Sequence, residues 1–111
     1  MAANHAPRSS LREAVRRALT ERGTELLTQP MRLASYITDL ADDRDRSVRI
    51  IGHQLDLELL QPLANAAKAG GPSLEDTRAI VAHILCDVRL VEPVAAYDVA
   101  DNLVGGLADY L

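Results

Sequence analysis

The chain has 111 residues, enough for one domain with a sizeable core, and its 48% apolar and 25% charged residues exclude a disordered polypeptide. It has no Phe or Trp and only three Tyr, so it lacks the aromatic platforms on which single-stranded nucleic-acid binders stack bases. The net charge of −4 hides a gradient: residues 1–35 carry six Arg against three Glu, residues 36–56 three Arg against five Asp, and residues 57–111 three basic against eight acidic groups.

In chain order, residues 1–9 are small and polar and are expected to form a flexible N-terminal arm, leaving 10–111 as a single helical domain. Ser10-Leu11-Arg12-Glu13 reads as a capping box, with the Ser hydroxyl taking an orphan amide and Glu13 reaching back. Leu11, Ala14, Val15, Ala18, Leu19 and Leu26 recur at helical spacing, which predicts a first helix over 11–28 that Gly23 weakens without ending. Pro30 starts the second helix, whose inward stripe is Leu33, Tyr36, Ile37 and Leu40. A polar turn at 41–45 supplies Asp caps for a third helix burying Val48, Ile51 and Leu55. Leu57, Leu59 and Leu60 are assigned to a connection, and Pro62 to the opening of a fourth helix with Leu63, Ala64 and Ala67. Gly70-Gly71-Pro72 breaks the chain. Ser73 caps a fifth helix with the stripe Thr77, Ile80, Val81, Ile84, Leu85 and Val88, leaving Ala79, Ala82, His83 and Cys86 opposite. After a turn near 89–91, a sixth helix with Pro93 in its first turn points Val94, Ala95, Val99 and Leu103 inward, and Gly105-Gly106 loosens or ends it. Nothing reads as a strand, and the expected fold is an all-α bundle of five or six short antiparallel helices.

The single cysteine, Cys86, has no partner for an internal disulfide, and the N-terminus lacks the apolar segment of a signal peptide. No run approaches the roughly 18 apolar residues that span a bilayer. A soluble, cytoplasmic protein is the expectation, without membrane association.

Candidate chemistry is sparse. Asp39, Asp42, Asp43 and Asp45 are interrupted by Arg44 and Arg46 and lack the central Gly and closing Glu of a calcium loop, so capping and solvation explain them. His83 and Cys86 share a helix face but have no further ligand at a matching spacing for zinc. No Gly-x-Ser-x-Gly elbow occurs, and Gly70-Gly71-Pro72-Ser73 lacks the spaced glycines and Lys-Ser/Thr of a phosphate loop. No catalytic residue, cofactor or metal site is therefore assigned. Arg12 and Arg16 stand one turn apart on the first helix with Arg17 about 100° round it. With Arg8 they make the most basic segment of an otherwise acidic chain.

The stretch Gln29-Pro30-Met31-Arg32-Leu33, the pair Asp39-Leu40, and then Arg46 and Val48 resemble small helical modules of multidomain bacterial signalling and defence proteins. Those modules are similar to effector-associated and death-like adaptor domains, including the caspase-recruitment type. Gln29 stands where that pattern has Asn, Asp42 where it has a turn proline, and Ser47 where it has Glu. The resemblance implies a tethered recruitment module that pairs with another protein domain, either a copy of itself or a related helical domain. The chain's close within an apolar helical pattern at Leu111 fits a domain cut from a longer protein.

The resulting expectation is a non-catalytic protein-interaction domain with charge-complementary helical faces. Arg12, Arg16 and Arg17 would form one face and Glu92, Asp98 and Asp101 the opposing one. The alternative is a small standalone regulator that binds nucleic acid or inhibits a nucleic-acid-associated complex. The acidic balance and the lack of a second basic helix disfavour that alternative.

Overall fold

Each helix begins where a side chain or a proline disposes of the unpaired amides that every helix start presents. The structure is a computed structural model describing residues 9–111, so all of the expected arm except Ser9 lies outside the described residues. Ser9 itself is held: its amide donates to Leu40 O at 2.9 Å and its carbonyl accepts from the Asp42 amide at 2.8 Å. Among the described residues the fold is all-α, with six helices and no strand.

Helix α1 (Leu11–Arg22) is capped by Ser10, whose Oγ accepts the Glu13 amide at 3.2 Å. The expected capping box is only half made, because Arg16 takes the Glu13 carboxylate. Gly23 ends α1, at φ +78°, a left-handed geometry that L side chains resist. The helix predicted to reach residue 28 is therefore two elements, and a 3₁₀ turn over Thr24–Thr28 follows the glycine. That turn buries both Leu26 and Leu27.

Helix α2 (Pro30–Leu40) starts on its proline as predicted and buries Leu33 and Ile37. Helix α3 (Arg46–Gln54) is capped by Asp45, which accepts the Ser47 amide at 2.8 Å. Helix α4 runs Leu57–Ala67 and begins five residues before the predicted Pro62 start. Asp56 caps it, accepting the Leu59 amide at 3.0 Å, and Pro62 sits within the helix. Burial of Leu59, Leu60 and Leu63 on one helical face outweighs the one backbone hydrogen bond that Pro62 cannot make.

Helix α5 (Leu74–His83) is capped by Ser73 and continues directly into a π turn, Ile84–Val88. Its buried face is Thr77, Val81, Ala82 and Leu85, so the inward stripe is rotated from the predicted one. Ile80 and Val88 point to solvent, while Ala82 is buried and Cys86 packs partly against the core.

Helix α6 (Pro93–Tyr110) is the centre of the bundle and packs most extensively on α1, then on α5 and α3. It runs straight through Gly105-Gly106, the predicted stopping point, and Leu107 is fully buried instead of lying in a tail. The two helices cross where α6 has no side chain: a Cβ on Gly106 would stand 2.6 Å from Val15 Cβ and 2.7 Å from Arg12 O. The glycines thus provide contact distance, not a helix end. Val94, predicted to face inward, is exposed. Of the largest fully buried side chains all but Ile51 are leucine, each stabilising by about 1.5–3 kcal/mol through burial.

The two adjacent glycines should respond oppositely to the same substitution. Gly106→Ala forces a methyl into Val15 and the α1 backbone and is expected to destabilise by about 1–3 kcal/mol. Gly105→Ala meets only the flexible end of Arg12, so the helix-propensity gain of about 1 kcal/mol leaves it neutral or slightly stabilising. Urea unfolding of the two variants checks this.

Candidate interaction surfaces

The charged residues singled out from sequence are in large part engaged within the molecule. Arg12 crosses from α1 to α6 and grips Asp109 with both Nε (2.7 Å) and Nη2 (2.8 Å), and its backbone amide donates to Asn102 Oδ1 at 3.0 Å. These hydrogen bonds hold the Asp109 carboxyl below its usual range. Arg16 pairs with Glu13 one turn back, and Arg17 is half-buried with no ion pair to a carboxylate among the described residues. On the acidic side, Asp98 accepts from Arg46 Nη2 at 2.7 Å and Asp101 pairs with Arg78, which also lies over the Tyr97 ring. Glu92 is the α6 cap, accepting the amides of Val94 (3.1 Å) and Ala95 (3.0 Å). Exposed pairs of this kind contribute between about 0 and 1 kcal/mol, so they orient helices more than they hold them. The expected opposed faces of uncommitted charge are replaced by a net of pairs linking α6 to α1, α3 and α5.

The remaining sequence candidates separate. His83 Nδ1 lies 2.7 Å from Asp87 Oδ2 on the exposed side of the π turn, while Cys86 turns toward the core. Burial, followed by the neighbouring charge of Asp87, pushes the Cys86 thiol up and away from the reactive thiolate. In the acidic turn, Asp42 accepts the amide and guanidinium of Arg44, and Asp45 caps α3. Among the described residues no group of three or more His, Cys, Asp or Glu side chains gathers around a common point, and no helix is long and apolar enough to cross a membrane.

Sequence reasoning passed over Arg89, the most connected cation in the structure. Its side chain is only 14% exposed, and it donates to the carboxylates of Asp56 (2.7 Å) and Glu58 (3.1 Å) and to the carbonyl of Gln54. It ties the turn after α5 to the junction of α3 and α4. Burial on its own would raise the Asp56 carboxyl, but the Arg89 guanidinium and the Leu59 amide outweigh it and hold the group below its ordinary value. Nothing in the sequence marked Arg89, because its partners lie more than thirty residues away.

The same turn exposes apolar side chains. Val88 is 60% and Leu90 85% exposed, and Leu57, beside the Arg89-bound carboxylates, is 59% exposed. Leu90 has φ +58°, a conformation that costs a leucine about 1–2 kcal/mol. The Val91 amide reaches back to Leu85 O at 2.8 Å, closing the helix end around Leu90 at the position glycine ordinarily fills. Next to this turn, Leu57, Pro62, Pro72 and Ile80 line an open groove of about 500 Å³ between α4 and α5, edged by Glu58 and Gln61.

A second recess, of about 370 Å³, lies on α3. Arg46, Arg49, Ile50 and His53 fall on one face of that helix, and Gln54 and Val91 complete the lining. Among the described residues no ion pair engages Arg49 or His53. Comparison of the chain with protein-family models, with curated proteins and with solved structures finds no match.

Replacing Arg89 by Met should cost about 1–3 kcal/mol at neutral pH, since it leaves a helix-end carbonyl and two carboxylates without their donor. Asp56 has a folded-state pKa below its ordinary 3.8, so its contribution is complete above that value and fades as pH falls through the lower folded value. The stability difference between wild type and Arg89→Met should therefore shrink in acid. Urea midpoints measured from neutral pH downward check the sign.

Proposed function

We propose that the chain is a non-catalytic protein-interaction domain of the adaptor or recruitment class, joining a signalling or defence effector to its partner. The observation that carries this reading is Leu90. The left-handed backbone at Leu90 closes the helix end, a place glycine fills without cost, yet the leucine side chain has 85% of its surface in water and gains no burial within the molecule. A partner that buries Leu90 with Val88 and Leu57 supplies that burial, worth about 1.5–3 kcal/mol for each side chain fully covered. Exposed aliphatic residues around a fixed turn are suited to form the centre of an interface, with Glu58 and the Arg89 cluster as its polar rim. The likeness of residues 29–48 to death-like recruitment modules supports the same class. Arg12 and Arg16, which bind Asp109 and Glu13, are assigned a supporting role in the bundle, and the docking role passes to the apolar turn.

The test is a variant that gains stability while losing function. Leu90→Gly relieves the backbone strain and is expected to raise stability by about 0.5–1 kcal/mol after the added unfolded-state entropy. In site-specific cross-linking within the native host, it should lose the partner that wild type captures, whereas Arg12→Glu should retain it. An unchanged set of cross-linked partners in Leu90→Gly, with its stability raised, would overturn the assignment of this turn.

A further inference from the structure

We infer that the recess on α3 is a second docking site, which takes an acidic peptide segment bearing an aliphatic side chain. The inference rests on the interaction-domain reading only in taking the ligand to be protein. It names the partner's chemistry at a surface separate from Leu90.

Helix α3 turns Ser47, Val48 and Ile51 inward. The opposite requirement is met by Arg46, Arg49, Ile50 and His53, spaced three, four and seven residues from the first, so that they stand along one face. Ile50 and Val91 are partly buried and form an apolar floor, while the two arginines and the histidine make the rim. The rim groups are available. Arg46 bonds to Asp98 through Nη2 alone, and no ion pair engages Arg49 or His53 among the described residues. Arg89 donates to the carbonyl of Gln54, one of the lining residues, but Asp56 and Glu58 already balance its charge.

Two features select the ligand. The rim calls for carboxylates, which an arginine binds through two parallel hydrogen bonds. The floor calls for a small aliphatic side chain, whose burial a bare phosphate or a nucleic-acid backbone cannot supply. The whole chain carries a net charge of −4, so an extended polyanion lying across it would be repelled beyond this face. A short acidic segment is confined to the arginine-bearing rim and the apolar floor. The match is one of charge and shape together.

The experiment uses the intact chain and three fluorescein-labelled probes: a peptide with one Leu flanked by Glu and Asp, the same peptide with Lys at every acidic position, and an oligothymidylate of equal charge to the first. Anisotropy should show binding of the acidic peptide alone, weakened by added salt. Amide chemical-shift changes should centre on Arg49, Ile50, His53 and Val91. Arg49→Glu, at an exposed position that leaves folding intact by circular dichroism, should weaken binding by about tenfold or more. His53→Glu serves as the independent second variant. The inference is overturned if millimolar acidic peptide shifts none of these amides, if both variants bind like wild type, or if the lysine peptide or the oligothymidylate binds equally well. Loss of the α3 site on these terms, with Leu90→Gly still abolishing partner capture, would leave the interaction-domain reading standing. Acidic-peptide binding with partner capture indifferent to Leu90→Gly would do the reverse.

Discussion

The bundle depends on the close crossing of α1 and α6. Gly106 has no side chain where Val15 and the Arg12 carbonyl approach to less than the distance any Cβ tolerates, so the two backbones are in near contact. From that crossing α6 extends along the middle of the molecule, and α3 and α5 find their places against its other faces. Arg12 then follows from the geometry. Held over Gly105, its guanidinium reaches Asp109 and its amide reaches Asn102, so a residue that looks like free surface charge becomes a clasp on the crossing.

That clasp is one member of a wider pattern. Asp98, Asp101 and Asp109 of α6 are matched by Arg46, Arg78 and Arg12 from three different helices. The charge gradient along the chain is real, but folding pairs three acidic residues of the last helix with arginines drawn from the first, middle and last thirds of the chain. Each such pair is half exposed and weak, and the leucine core carries the stability. Within the α3 recess, Arg49 and His53 lie outside this net.

At the far end of α5 the chain does something that burial does not explain. A π turn adds a residue to the helix end, Leu90 takes the left-handed conformation, and Arg89 is turned inward to bind Asp56, Glu58 and the Gln54 carbonyl. Arg89 is fastened inward while its neighbours Val88 and Leu90 are exposed. A largely buried cation bonded to three groups thus sits beside an exposed apolar turn, the surface on which the proposed function rests.

The helical class, the starts at Ser10, Pro30, Asp45 and Ser73, and most of the core were legible in the sequence, because caps and period-3.6 stripes are local chemistry. Elements were misread where a residue has two local uses. Gly23 and Gly106 are both helix-weakening glycines, yet one supplies a positive φ and ends a helix while the other supplies space and lets one pass. Pro62 reads as a helix start, but Asp56 had already begun that helix. The docking candidates were hidden for a different reason. Which of Ile80 and Ala82 faces the core, which arginines find carboxylates, and that Leu90 is left in water all depend on contacts between residues distant in the chain. Local sequence determines which segments coil and where they start; only their packing decides which side chains are spent inside the molecule and which remain for another.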